Sequence, residues 1–179
     1  PALRSVLRDR VRILGIDPGS RLTGFGVVDC IGDEASYVAS GSVNSIEGDF
    51  PARLRMIFRS VGEIVSAHRP DVVAIESVFM HRNPSSALKL GHARSAAICA
   101  TFDLEVEVVE YAPREIKQAI VGSGAASKDQ VLHMVCRLLS LQGKPSPDAA
   151  DALAAALCFA HQRRPKRQMK AATRAAGGK

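Results

Sequence analysis

The sequence predicts an α/β domain built on a mixed five-stranded sheet, with three antiparallel strands followed by parallel ones and helices on the flanks. Three observations predict it. Apolar runs of strand length open the chain, separated only by short turns. The apolar period then changes to three and four over residues 51–68. Beyond that, short apolar runs alternate with helical stretches, as they do when parallel strands are covered on both faces.

Residues 11–17 (VRILGID) are the first expected strand, and residues 24–29 (GFGVVD), after the turn PGSRLT, the second. A third runs from about 35 to 43 behind Gly32-Asp33, and connections this short make the three a meander. Leu54, Ile57, Phe58, Val61, Ile64 and Val65 then mark one face of a helix over 51–68. Pro51 suits its first turn, and Arg69-Pro70 stops it. VVAIE (72–76) is a continuous apolar run ending on an acid, expected as a central parallel strand. A helix over 85–102 leads to a strand at 106–111, and helices over 113–121, 127–141 and 147–161 close the order. Ser127 and Gln130 have the spacing of a capping box. No internal repeat is visible.

A chain of 179 residues can bury one good core but not two full-sized ones, so residues 11–161 are expected to be one domain. The opening PALRSVLRDR lacks an initiator Met, and residues 1–10 are expected to be an N-terminal extension, flexible or added to the natural chain. The formal net charge of +6 belongs to the ends. Residues 162–179 hold seven Lys or Arg and no acid, and residues 1–12 hold four Arg against Asp9, which leaves the stretch between them mildly acidic. The basic end, 162–179, reads as a flexible solvated tail, with a weak tether to a polyanion as its functional alternative. Cys30, Cys99, Cys136 and Cys158 lack zinc or disulfide spacing and are expected as reduced cysteines of a cytoplasmic protein. ALAAALCFA (152–160) is far too short to span a bilayer, no signal-peptide pattern opens the chain, and no membrane role is expected.

Four acids stand out against this frame. Asp17 ends the first strand and Glu76 ends VVAIE; parallel neighbouring strands would bring both to one sheet edge. Asp148 and Asp151 in PDAADALAAAL are three apart and share a helix face, and the surrounding alanines let that helix lie close to the sheet. Gly15, two before Asp17 on the same strand face, would help the approach. Taken singly, Asp148 can be a dipole-favoured first-turn acid and Glu76 a strand end turning to solvent. Together, four acids at converging ends of apolar elements raise one another's pKa unless a cation compensates. All-oxygen donors favour Mg²⁺, with Mn²⁺ able to substitute, and two such ions roughly 3.5–4 Å apart can activate a water and stabilise the leaving oxygen of a phosphodiester.

GIDPGSRLTGFGVV, AIESVFMHRNPSSALKLGHARSAA (74–97), YAPREIKQAIVGSGAASKDQV (111–131) and PDAADALAAAL together resemble the RuvC family of bacterial Holliday junction resolvases, over about residues 12–160 in unbroken order. The resemblance implies a ribonuclease H-like fold and a homodimer that nicks two opposed strands of a four-way DNA junction symmetrically. It implies metal-binding catalytic roles for Asp17, Glu76, Asp148 and Asp151, which would hold two Mg²⁺ ions per site. Some relatives carry a His in the last helix; here only His161 is available, and it is not assigned. The resemblance makes Phe79 a junction-facing aromatic, suited to stacking on unpaired bases, although a Phe can also tuck under its own loop. It places Lys117 and Lys128 at DNA near the scissile phosphate. With Arg82, Lys89, Arg94 and Arg114 they would make a basic face that positions phosphates without reading sequence. The branch-migration complex of RuvA and RuvB is the implied partner.

Other signals weigh less. GSGAASKD (122–129) has Ser127 where a phosphate loop needs Gly and Asp129 where it needs Ser or Thr, and it follows a helix. The five histidines show no ligand spacing. Two competing functions are an actin-like or sugar-kinase ATPase, whose first strand also ends in a GIDPGS-type turn, and a non-catalytic junction-binding protein of the same fold. The first needs a second phosphate-binding domain, for which the chain has no room. The dimer contact is expected on the 85–102 helix, through Ala87, Leu88, Gly91, Ala93, Ala96 and Ala97, with burial in its own core as the competing account.

Overall fold

A computed structural model describes residues 10–77 and 83–176, with side chains as far as residue 163. Strand β1 (Arg10–Asp17) pairs antiparallel with β2 (Leu22–Ile31), which pairs antiparallel with β3 (Glu34–Asn44). β4 (Val72–Glu76) lies parallel on the other side of β1, and β5 (Glu107–Tyr111) lies parallel beyond it. The sheet order is β3-β2-β1-β4-β5, the mixed five-stranded arrangement expected.

Helix α1 (Phe50–His68) starts where the Asp49 side chain accepts a 2.9 Å bond from the Ala52 amide, with Pro51 in the first turn. It ends at Arg69, held at φ 44° before Pro70. Asn83 caps α2 (Pro84–Cys99). That helix stops at Cys99, short of the expected 102, and a single 3-10 turn, Phe102–Leu104, follows. α3 (Pro113–Val121) ends on Gly122 at φ 82°. The expected capping box opens α4 (Lys128–Leu138): Ser127 accepts from the Gln130 amide at 3.2 Å and Gln130 accepts from the Ser127 amide at 2.8 Å. Ser140, at φ 50°, turns the chain out of helix before 141. In α5 (Pro147–Ala176) the backbone stays helical well past the expected stop near 161, a correction to that boundary.

Strand alternation sorts the core into two layers. Ile13, Val28, Val72 and Ala74 pack with Ile116, Val131, Val135, Leu153 and Leu157 beneath α3, α4 and α5. Leu14, Ile16, Val27, Val73 and Ile75 pack with Ile57, Val61, Val65, Ala93 and Ala97 beneath α1 and α2. Ala93 and Ala97 therefore belong to the protomer's own core, against the expectation that they face a partner, whereas Leu88 on the same helix is exposed. Among the described residues the cysteines form no disulfide, and no helix is long and apolar enough to cross a membrane.

Candidate active site

The alternation that builds the core also aims the acids. Ile13 faces the α5 layer, so Gly15 and Asp17, two and four residues on, face it too. Val72 and Ala74 face the same layer, which puts Glu76 there as well. The parallel ladder pairs Gly15 with Ala74 and Ile16 with Ile75, and one step further along it Asp17 and Glu76 end their strands side by side.

α5 reaches this edge because the strands beneath it carry glycine. A Cβ at Gly15 would overlap the Ala152 carbonyl oxygen, and one at Gly24 the Asp148 carbonyl oxygen. Gly24 is the β2 partner of Asp17. A Cβ at Gly26 would come within 2.6 Å of the Leu153 side chain. These contacts seat α5 at backbone distance, with Ala149, Ala150, Ala152, Ala155 and Ala156 buried around them. Asp151 is thereby brought over the strand ends. The turn after Asp17 is closed by Thr23, whose hydroxyl donates to the Gly19 carbonyl at 3.0 Å. Arg53 of α1 donates to the Ser20 carbonyl and, at 2.8 Å, to the Ser45 carbonyl, tying that turn to the end of β3. The sequence signal for Gly24 and Gly26 was their two-residue spacing on one strand face; Arg53 left none, because it acts on backbone carbonyls distant in the chain.

Asp17, Glu76, Asp151, Lys117 and Lys128 line one cavity of about 190 Å³, walled by Pro113, Ile116, Val131 and Ala154. A larger hollow of about 670 Å³, between β3 and the 138–145 loop, contains no acid. Burial, with the charges of Glu76, Asp151 and Asp148, pushes the Asp17 carboxyl up to about 8, Lys128 partly offsetting them. Burial and Asp151 raise Glu76 as well, against Lys128 and Lys117. Lys128 Nζ lies 2.7 Å from Asp151 Oδ2, and this bond raises the lysine. Asp148, one turn earlier on α5, lies outside the cavity lining but within electrostatic reach of Asp17.

The donor set suits a hard divalent cation: carboxylates from β1, β4 and α5, mutually repelling and partly buried, with no nitrogen or sulfur ligand in the lining. As the side chains stand, no three His, Cys, Asp or Glu among the described residues close on one point. The cation in contact with the group is the Lys128 ammonium.

Phe79 and Arg82 lie outside the described residues. Arg94 is corrected: it turns inward to pair with Glu110 at 2.5 Å and does not join a basic face. His161 points away from the acids, its Nδ1 3.0 Å from the Ala119 carbonyl oxygen.

A family profile described as crossover junction endodeoxyribonuclease RuvC matches residues 13–159. The protein of that name from Alkalilimnicola ehrlichii is 56% identical over 151 residues, covering 84% of this chain and 92% of its own. The one from Aromatoleum aromaticum is 54% identical over 150 residues, covering 84% and 81%. Among solved structures, Thermus thermophilus RuvC in complex with Holliday junction substrate superposes with a TM-score of 0.81 at 36% identity, over 87% of this chain and 96% of that one. The yeast mitochondrial Holliday junction resolvase Ydc2, at 14% identity and a TM-score of 0.69, shares the fold. With its sheet order, its four acids and a match running through almost the whole described domain, the chain belongs to the RuvC family of crossover junction endodeoxyribonucleases.

Proposed function

We propose that the protein resolves Holliday junctions in DNA recombination and repair, as a divalent-metal-dependent endonuclease that nicks two opposed strands symmetrically. The observation that carries this is the meeting of Asp17, Glu76 and Asp151, from three elements far apart in the chain, with Lys117 and Lys128 in one cavity. Asp17, Glu76, Asp148 and Asp151 would hold two Mg²⁺ ions, or Mn²⁺ in their place. Bound there, the ions supply charge neutralisation at the phosphodiester and activation of the attacking water.

The chain's own groups do the rest. β1 and β4 hold Asp17 and Glu76 rigidly, because both strands are buried on both faces up to the residue before the acid. The Gly15 and Gly24 contacts set the height of Asp151 above them. Lys117, on α3, faces the cavity and brings positive charge to the phosphate that the acids alone would repel. Phe79 and Arg82, in the loop after Glu76, are assigned to the branch point and its phosphates on sequence alone. Two symmetric nicks call for two sites related by a two-fold axis, hence a homodimer. Domain limits of 11–161 and a RuvA–RuvB partner complete the reading.

The test offers the purified protein a synthetic four-way junction and a matched linear duplex, each with and without Mg²⁺. Paired nicks confined to the junction and to Mg²⁺ are expected. Tight junction binding without product at any Mg²⁺ concentration would identify a binding protein instead.

A further inference from the structure

Lys117 and Lys128 look interchangeable in the sequence, but the fold treats them differently. Both line the acid cavity. Lys128 Nζ is bonded to Asp151 at 2.7 Å, whereas Glu76 feels Lys117 only through space. Lys128 is also the first residue of α4, where a positive charge opposes the helix dipole. Helix stability therefore gives no reason for a lysine at that position, while its neighbour Asp129 is of the favoured sign. The Lys128 side chain remains 78% exposed against 19% for Asp151, so the carboxylate is sheltered and the ammonium retains an open way out to solvent. With its ammonium open to solvent, such a pair is screened and weaker than a fully buried one.

Resting on the metal-site reading above, we propose that Lys128 is the internal counter-ion of the acid cluster, exchanging with the divalent ion: the ammonium holds Asp151 until the ion binds, and is then released toward the substrate phosphate. While the ammonium sits on Asp151 Oδ2 only Oδ1 is free for an ion, so a two-oxygen grip, or one through Oδ2, on an ion shared with Asp17 and Glu76 requires Nζ to leave. The present arrangement, in which no three acids close on one point, is the lysine-held one. Ion binding and phosphate capture are thereby coupled through a single side chain, and Lys117 is the cation available throughout.

The experiment is calorimetric titration of Mn²⁺ into the full-length protein without DNA, comparing wild type, Lys128→Met and Lys117→Met. Both variants lose one positive charge from the same cavity, so loss of repulsion alone would tighten both, Lys128→Met somewhat more because its ammonium lies nearer the acids. Exchange predicts that K128M tightens Mn²⁺ about tenfold and K117M by no more than about two- to threefold. In the wild type, the side-chain NMR signal of isotope-labelled Lys128 is expected to shift on addition of Mg²⁺, with that of Lys117 nearly still. Saturable binding with no gain in K128M, or an equal gain in K117M, overturns the proposal and leaves the metal site standing. No saturable binding in any of the three proteins overturns the metal site and the proposal with it.

Discussion

Gly15 of β1 and Ala152 of α5 meet backbone to backbone, with the Ala152 carbonyl oxygen in the space that a Cβ at position 15 would need. The contact lies two residues before Asp17 and one after Asp151, so it sets the spacing between the two carboxylates. Gly15→Ala must lift α5 or bend β1. We expect a loss of about 3 kcal/mol or more in urea unfolding, and cleavage falling further than the remaining folded fraction explains. Gly91→Ala is the control. It sits in α2 where an added Cβ meets nothing within 4 Å, and the change is expected to be neutral or to stabilise by up to about 1 kcal/mol.

That contact also shows why so much of the fold was legible. Strand alternation and the alanine-rich last helix are local patterns, and they place Gly15, Asp17, Glu76 and Asp151 on facing surfaces before any coordinates are known. The order of strands follows from short connections and from the change of period. Pairings between distant side chains leave no such trace. Arg94 reads as a surface cation until Glu110 of β5 is seen beside it, and Lys128 resembles Lys117 until Asp151 comes within 2.7 Å. Ala93 and Ala97 were ambiguous for another reason: small residues suit a core and an interface equally, and only the position of α1 across the helix decides.

The second prediction concerns pH. The ordinary Asp17 carboxyl titrates near 3.8, and burial with neighbouring charge pushes it up to about 8 in the fold. Between those values the unfolded chain has released the proton while the folded chain keeps it. Stability of the metal-free protein therefore falls as pH rises through this window and levels off above it. Glu76, raised for similar reasons, adds in the same direction. Asp17→Asn removes most of the slope. At pH 8 with a chelator the variant is expected to be more stable than wild type by about 1–3 kcal/mol, while cleavage drops on the order of 10³-fold. Parallel melting curves for the two proteins across pH 5–8 would remove Asp17 from the cluster.

At the opposite end of β1 the sign reverses. Arg12 meets Asp29 through two bonds, Nε to Oδ1 at 2.7 Å and Nη2 to Oδ2 at 2.8 Å, and a third donor reaches the His68 carbonyl at 3.0 Å. These bonds hold the Asp29 carboxyl below its usual value. The pair contributes stability above the unfolded value of 3.8 and loses it as pH falls through the depressed one. Asp29→Asn is expected to cost about 1–3 kcal/mol at pH 7, with the difference from wild type shrinking toward pH 2. Junction cleavage per folded molecule stays unchanged, since the pair lies at the far end of the strand. Equal acid limbs for variant and wild type would show that the pair adds nothing to stability.

Lys117 supplies the last prediction. It faces the acid cavity from α3 without an ion-pair partner among the described residues, and Glu76 senses its charge only at a distance. A cation so placed is preorganised for an anion arriving from solvent, and no internal contact has to break first. Lys117→Met is therefore expected to slow single-turnover cleavage of a four-way junction about 10²-fold at saturating Mg²⁺. Junction affinity at moderate salt should weaken only a few-fold, because one phosphate contact among many is lost. Lys117→Arg keeps the charge but trades a compact ammonium for a broad planar fork, so partial recovery of rate is expected. Binding and cleavage falling together, with no recovery in the arginine variant, would make Lys117 a general DNA contact with no special part at the cleaved bond.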